Sequence, residues 1–118
     1  EASGGFLVWG TSAGEYLEYT LFPDPTEDSL AHGASTTMSV TLTYATTFAN
    51  ETVSILIDGV PVASGVALSP TGGWGQPSGG TSTWDTHTIS GIATTNEEHV
   101  LRVVFDTGRV NLDKLELL

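Results

Sequence analysis

In short segments along this chain, apolar residues recur at every second position, and nowhere do they hold a helical spacing over any useful length. A period of two sends successive side chains to opposite faces of an extended strand, so one face is buried and the other is wet. From Glu15 to Phe22, Leu17, Tyr19 and Leu21 fall on one face, and Tyr16, Glu18 and Thr20 on the other. Met38, Val40, Leu42 and Tyr44 share a face between Thr37 and Ala45. Val53, Ile55 and Ile57 do so between Thr52 and Asp58, as do Leu101, Val103 and Phe105 between Glu98 and Phe105. Phe6 to Trp9, Val60 to Leu68, Trp84 to Ser90 and Val110 to Leu117 complete the strand candidates. Asp58-Gly59 predicts a tight hairpin turn, because both residues tolerate positive φ. Pro61 lacks a backbone donor, which places its strand at a sheet edge or Pro61 at the strand start. A further turn falls at Asp106-Thr107-Gly108. About eight strands separated by turn signals, with no helix candidate, predict an all-β fold. The expected form is a two-sheet antiparallel β-sandwich, of which the jelly roll is the common eight-strand version.

Two connections stand out. Pro23 to Ser35 is polar, and Ser69 to Thr83 is dense in Gly, Pro, Ser and Thr and reads as a loop. Loops of that length are more often functional than short ones. At 118 residues the chain is expected to form one domain, residues 1–118, with one hydrophobic core. There are no cysteines, so no disulfide framework staples it. No apolar run approaches the roughly 20 residues that span a membrane. The N-terminus has no basic stretch followed by an apolar run, so no signal peptide is expected there. A mature secreted protein, or a domain excised from a larger secreted enzyme, has this profile. The net charge of -11 comes from 14 acidic and 3 basic residues. It excludes nucleic acid, whose phosphates require clustered Lys and Arg, and argues against anionic membranes. It suits a salty or extracellular setting, where self-repulsion keeps the protein dissolved and salt screens it.

Four segments in order carry a family resemblance. Gly14-Glu15-Tyr16-Leu17-Glu18-Tyr19-Thr20 resembles the Gly-acidic-aromatic-x-x-Tyr segment of the family 6 carbohydrate-binding modules. Ile57-Asp58-Gly59 matches the hairpin that usually precedes their binding loop. Thr71-Gly72-Gly73-Trp74, with Trp84 beyond it, is similar to their Gly-Gly-Trp loop leading to a second Trp. Val110-Asn111-Leu112-Asp113 is similar to their closing Asn-x-Asp strand. The similarity runs from about Gly5 to Leu118, and the related family 35 shares much of the pattern. Two departures are visible. Gly75 to Thr83 intervene between the two tryptophans as an insertion. Of the Glu-x-Glu pair usual on the first strand, only Glu1-Ala2-Ser3 remains.

The resemblance implies a glycan site with definite chemistry. Each pyranose face carries C–H groups, and an aromatic ring offers them a flat apolar surface with a negative π face. Amides and carboxylates then hydrogen-bond the hydroxyls and select stereochemistry. Carried over, the loop-end residues are Trp9, Trp74 and Asn111. Trp9 also ends an apolar run and has a core alternative. Trp74 follows a Gly pair in a polar loop where no core awaits it; its alternative is to fold back over a sheet edge. Trp84 is assigned to the core. Some relatives bind on a sheet face, where Tyr16 would be the platform with Glu18 beside it; the alternative is cross-strand packing. The resemblance further implies a structural Ca²⁺, with Asp113 and Glu1 as the metal candidates, since calcium favours oxygen ligands. Asp113 shares parity with Leu115 and Leu117 and is expected to point inward; its alternative is a carboxylate bonded to backbone amides. His32, His87 and His99 lack metal-ligand spacing and are expected at the surface. Asn50-Glu51-Thr52 is a glycosylation sequon, meaningful only in a eukaryotic secretory host.

The function expected is non-catalytic: binding a plant or algal polysaccharide and targeting an attached glycoside hydrolase, as a secreted monomer. Xylan, β-glucans and agarose-type galactans are the candidate glycans, and a chain this acidic is expected to disfavour polyanionic ones unless calcium or a local basic patch offsets the charge. A protein-binding or adhesive sandwich is the alternative. A glycosidase is less favoured. Glu15, Glu18 and Asp85 could supply its carboxylates, but a thin sandwich rarely encloses the deep cleft that raises a catalytic acid's pKa.

Overall fold

The computed structural model describes the backbone of residues 3–8, and residues 11–22, 35–75 and 83–117 in full. Among the described residues lie eight strands: β1 (Ser3–Val8), β2 (Glu15–Leu21), β3 (Ser35–Ala45), β4 (Glu51–Ile57), β5 (Val60–Leu68), β6 (Asp85–Thr95), β7 (His99–Phe105) and β8 (Asn111–Leu117). They form two four-stranded sheets, ordered β1-β8-β3-β6 and β2-β7-β4-β5, with every pairing antiparallel. The all-β two-sheet sandwich expected from the alternation is the fold.

The alternation also names the core. Val40, Leu42 and Tyr44 of β3 face Val53, Ile55 and Ile57 of β4 and Leu101, Val103 and Phe105 of β7, all buried. Leu112, Leu115 and Leu117 of β8 close the same cluster, and Leu17, Tyr19 and Leu21 of β2 pack against it. Burying a side chain of this size contributes about 1.5–3 kcal/mol, so this layer, unaided by any disulfide, holds the sheets together. The β4–β5 turn is built as its sequence requires: Asp58 and Gly59 both sit at positive φ, 52° and 81°, the signature of a turn whose twist suits a hairpin. Pro61 lies near the start of β5, an edge strand.

Two strands depart from the expected pattern, both through bulges. The strand beginning near Trp84 was expected to stop at Ser90, before Gly91. Instead it continues to Thr95, because the register passes from Val40↔Ile89 to Met38↔Ile92. An extra residue on β6 is absorbed there, with Gly91 at φ 70°. On β8 the register passes from Thr43↔Lys114 to Tyr44↔Leu112, which leaves Asp113 as the additional residue. This bulge corrects the parity argument. Leu112, Leu115 and Leu117 all face the core, and Asp113 is half-buried rather than sealed with them.

Candidate functional site

The described loops at the Phe105 end of the sandwich are tied to one another by threonines. The Thr71 amide donates to the Thr46 carbonyl at 2.8 Å, and the Thr46 amide to Thr71 Oγ1 at 3.1 Å. Thr71 Oγ1 lies 3.1 Å from the Gly73 carbonyl, and the Gly75 amide donates to Thr83 Oγ1 at 2.7 Å. Gly75 is at φ 97°, and a Cβ there would collide with the indole of Trp84. Trp84, expected in the core, is instead a half-buried prop beneath the loop. The next-but-one side chain from Gly72, Trp74, emerges 38% exposed.

Asn111 is joined to Trp74 in a way the sequence did not announce. It is 2% exposed, and its Nδ2 donates to the Trp74 carbonyl at 3.1 Å. The amide thus holds the loop that presents the ring. Its nitrogen therefore has a hydrogen-bond partner within the protein. Trp9 and Glu1 lie outside the described residues.

Phe48, overlooked in the sequence, stands against Trp74. The ring centroids are 5.8 Å apart and the planes are inclined by 60°. Phe48 is itself 40% exposed, in the short connection between β3 and β4. The Arg109 guanidinium lies over the Phe48 ring, 4.2 Å from its centroid, and Arg109 Nη2 bonds Glu51 Oε2 at 2.7 Å. Glu51, the middle residue of the sequon, is 0% exposed. The only available signal for Phe48 was an aromatic residue just beyond a strand end, among polar neighbours.

Tyr16 lies on the outer face of the second sheet and is 50% exposed, as the alternation required. One side of its ring is covered by the Arg102 guanidinium at 4.0 Å. Glu18 receives Arg102 Nε at 2.9 Å and Nη2 at 2.5 Å, so its carboxylate is already committed. The structure does not bring Tyr16 to Trp74: one is on a sheet face, the other in a loop.

The carboxylates available for hydrolysis are no better placed. Glu15 accepts the Ser12 amide, and Asp85 accepts the Thr86 amide at 2.8 Å at the exposed start of β6. For calcium, the described residues do not fit. The ion takes six to eight oxygens. Among the described residues no three His, Cys, Asp or Glu side chains gather, so Asp113 is part of no such cluster there.

His99 differs from expectation: it is no surface residue. Its side chain is 13% exposed, with Nδ1 2.6 Å from Asp58 Oδ2 and Nε2 2.8 Å from Thr95 Oγ1. The pair ties the β4–β5 turn to the β6–β7 connection at the opposite end from Trp74. An open, mainly apolar recess lined by Ile57, Val62, Ala93 and His99 lies there, and neither Trp74 nor Tyr16 lines it.

A family model described as carbohydrate binding module (family 35) matches residues 1–117. The chain belongs to this family. Family 35 comprises non-catalytic binding modules, and the motifs resemble family 6 with the related family 35 as the alternative. No curated protein matches the sequence. Solved structures share the module's fold. One is the C-terminal family 6 module of LamC, a marine laminarinase from Zobellia galactanivorans: 17% identical, TM-score 0.69, covering 97% of this chain and 80% of that one. Another is a family 35 module from Clostridium thermocellum, 19% identical, TM-score 0.65, covering 91% and 72%. A family 36 module solved with calcium and xylotriose is 16% identical, with TM-score 0.57, covering 100% and 89%. At these identities the likeness establishes the sandwich, while membership rests on the family match.

Proposed function

We propose that this family 35 module binds a neutral plant or algal polysaccharide by stacking a pyranose on Trp74. The observation that carries the proposal is an indole 38% exposed on a loop segment whose Gly73 and Trp74 carbonyls are both held by hydrogen bonds. Pre-ordering such a loop removes part of the entropy that binding would otherwise lose. Trp9, by its spacing from Tyr16, is the second ring of the loop-end site. Tyr16 is a separate platform on the sheet face, with one side open beyond the Arg102 cap. The module is a single secreted monomeric domain of a larger enzyme, and it raises the local concentration of an attached glycoside hydrolase at its substrate. The LamC module, part of a laminarinase, supports that arrangement by analogy.

Neutrality of the glycan follows from charge. The chain has three basic residues. Arg102 pairs with Glu18, Arg109 with Glu51, and Lys114 approaches Glu116 at 3.6 Å. No cation is left over to receive a polyanion. Xylan, β-glucans and agarose-type galactans remain the candidates.

Affinity electrophoresis in gels containing soluble xylan, mixed-linkage β-glucan or agarose tests the proposal. At least one should retard the protein, and Trp74→Ala should weaken the retardation about tenfold or more, the scale of an aromatic anchor, with its melting temperature unchanged. Retardation by a ring-based surface should survive a chelator; loss on chelation would instead bring calcium into the site. If no glycan retards the protein, the adhesive or protein-binding alternative takes over.

A further inference from the structure

The aromatic surface at the loop end has a support that lies on neither of its expected elements. We propose that Phe48 is a second wall of the glycan-contact surface, and that Arg109 is the residue that positions it. This rests on the proposal that Trp74 stacks on sugar.

Three observations converge. Phe48 and Trp74 form an inclined corner, with centroids 5.8 Å apart and both rings more than a third exposed. A corner of this kind offers a sugar ring one apolar face and one apolar edge, so it restricts orientation more than a lone indole does. Second, Arg109 grips Phe48 from two directions. Its guanidinium lies over the ring at 4.2 Å, and its carbonyl accepts Thr46 Oγ1 at 2.8 Å, while Thr46 Oγ1 in turn accepts the Phe48 amide at 3.2 Å. Thr46 is fully buried, so this hinge is not free to swing. Third, Arg109 is held where it is. It sits at φ 55°, a region that non-glycine residues rarely adopt. Its amide donates to the Thr11 carbonyl at 2.6 Å, and its side chain is fixed by Glu51 at 2.7 Å.

The Glu51 carboxylate explains why an arginine is required. One oxygen meets Arg109, and the other, Oε1, is buried with no partner among the described residues. A buried carboxylate needs a cation beside it. A planar guanidinium can satisfy Glu51 through one edge and stack on Phe48 through its face, whereas an ammonium cannot do both.

Two substitutions that keep the charge balance test this: Phe48→Leu and Arg109→Lys, with E51Q/R109A as a third variant in case the lysine disturbs the fold. Each is measured by affinity electrophoresis on the glycan panel, by near-ultraviolet circular dichroism and by melting temperature. Phe48→Leu should weaken retardation about three- to tenfold, the range of one aromatic contact. It should also alter the near-ultraviolet spectrum, a change that vanishes in a Trp74→Phe background. Arg109→Lys should reproduce part of both effects while melting near the wild-type temperature, and should add nothing to Phe48→Leu. Wild-type retardation by Phe48→Leu and Arg109→Lys, alongside loss in Trp74→Ala, would overturn the corner and leave the proposed function intact. Full retardation of Trp74→Ala would overturn both.

Discussion

Asn111 and Trp74 are expected to fail differently when altered. Trp74 is a half-exposed ring whose removal takes away contact area but little of the protein's own packing. Asn111 is buried, and its amide supports a loop carbonyl, so Asn111→Ala should lower stability by about 1–2 kcal/mol, or roughly 3–10 °C for a domain of this size, and weaken glycan retention along with it. Thermal melts of the two variants separate them: an Asn111→Ala protein as stable as wild type would show that the bond to Trp74 carries no weight. Asp58 offers a second test. Hydrogen bonding from His99, and then from the Val100 amide, holds its carboxyl below the usual carboxylate range. A depressed carboxylate contributes stability that is present above its unfolded pKa and is lost as pH falls through the lower folded value. The melting temperature should therefore drop below about pH 4, and Asp58→Asn, which suits the same positive-φ turn, should flatten part of that drop. Identical pH profiles for the two proteins would remove Asp58 from the account.

Among the elements, the Gly-rich loop depends on Gly75. Ala at a positive φ, pressed against Trp84, should cost about 1–3 kcal/mol and should displace Trp74, so Gly75→Ala is expected to lose both stability and glycan retention. Normal binding by Gly75→Ala would mean the loop tolerates a different path. The strands were legible because their alternation survives unbroken: in β3, β4 and β7 every inward residue is where period two puts it. Legibility ended at the bulges. Gly91 looks like a strand terminator, yet it absorbs an extra residue inside β6. Asp113 looks inward because the count runs back from Leu117 without knowing that β8 slips by one. The site was legible only in part for a related reason. A Trp between glycines in a polar loop has few packing explanations, so Trp74 was visible. Phe48 follows Tyr44-Ala45-Thr46-Thr47 and reads as a fraying strand end. Its partner Arg109 comes from the distant connection between β7 and β8, which only the folded topology brings to Phe48 and the buried Glu51.

Taken whole, the molecule is an acidic body whose few cations are already spoken for. Unpaired carboxylates repel one another, and that repulsion opposes the compact state. Raising salt from about 10 mM to 500 mM shortens the Debye length several-fold, so the melting temperature should rise by a few degrees. A fall would mean that the ion pairs, which salt also weakens, outweigh the general repulsion. The same charge argument predicts that neutral polysaccharides retard the protein more than alginate or polygalacturonate at low salt. Equal retardation by the acidic polymers would contradict the neutral-glycan reading.

The bulge on β8 has a consequence for how this strand can vary. Its distal leucines are locked into the interior layer, while its first residue must reach up to hold a loop carbonyl, and the two tasks demand opposite phases. One surplus residue reconciles them. Pairing the same residues without that irregularity would put position 111 on the face of the leucines and turn its amide away from the indole loop, so the slip in register is constrained even where the identity of the surplus residue is not.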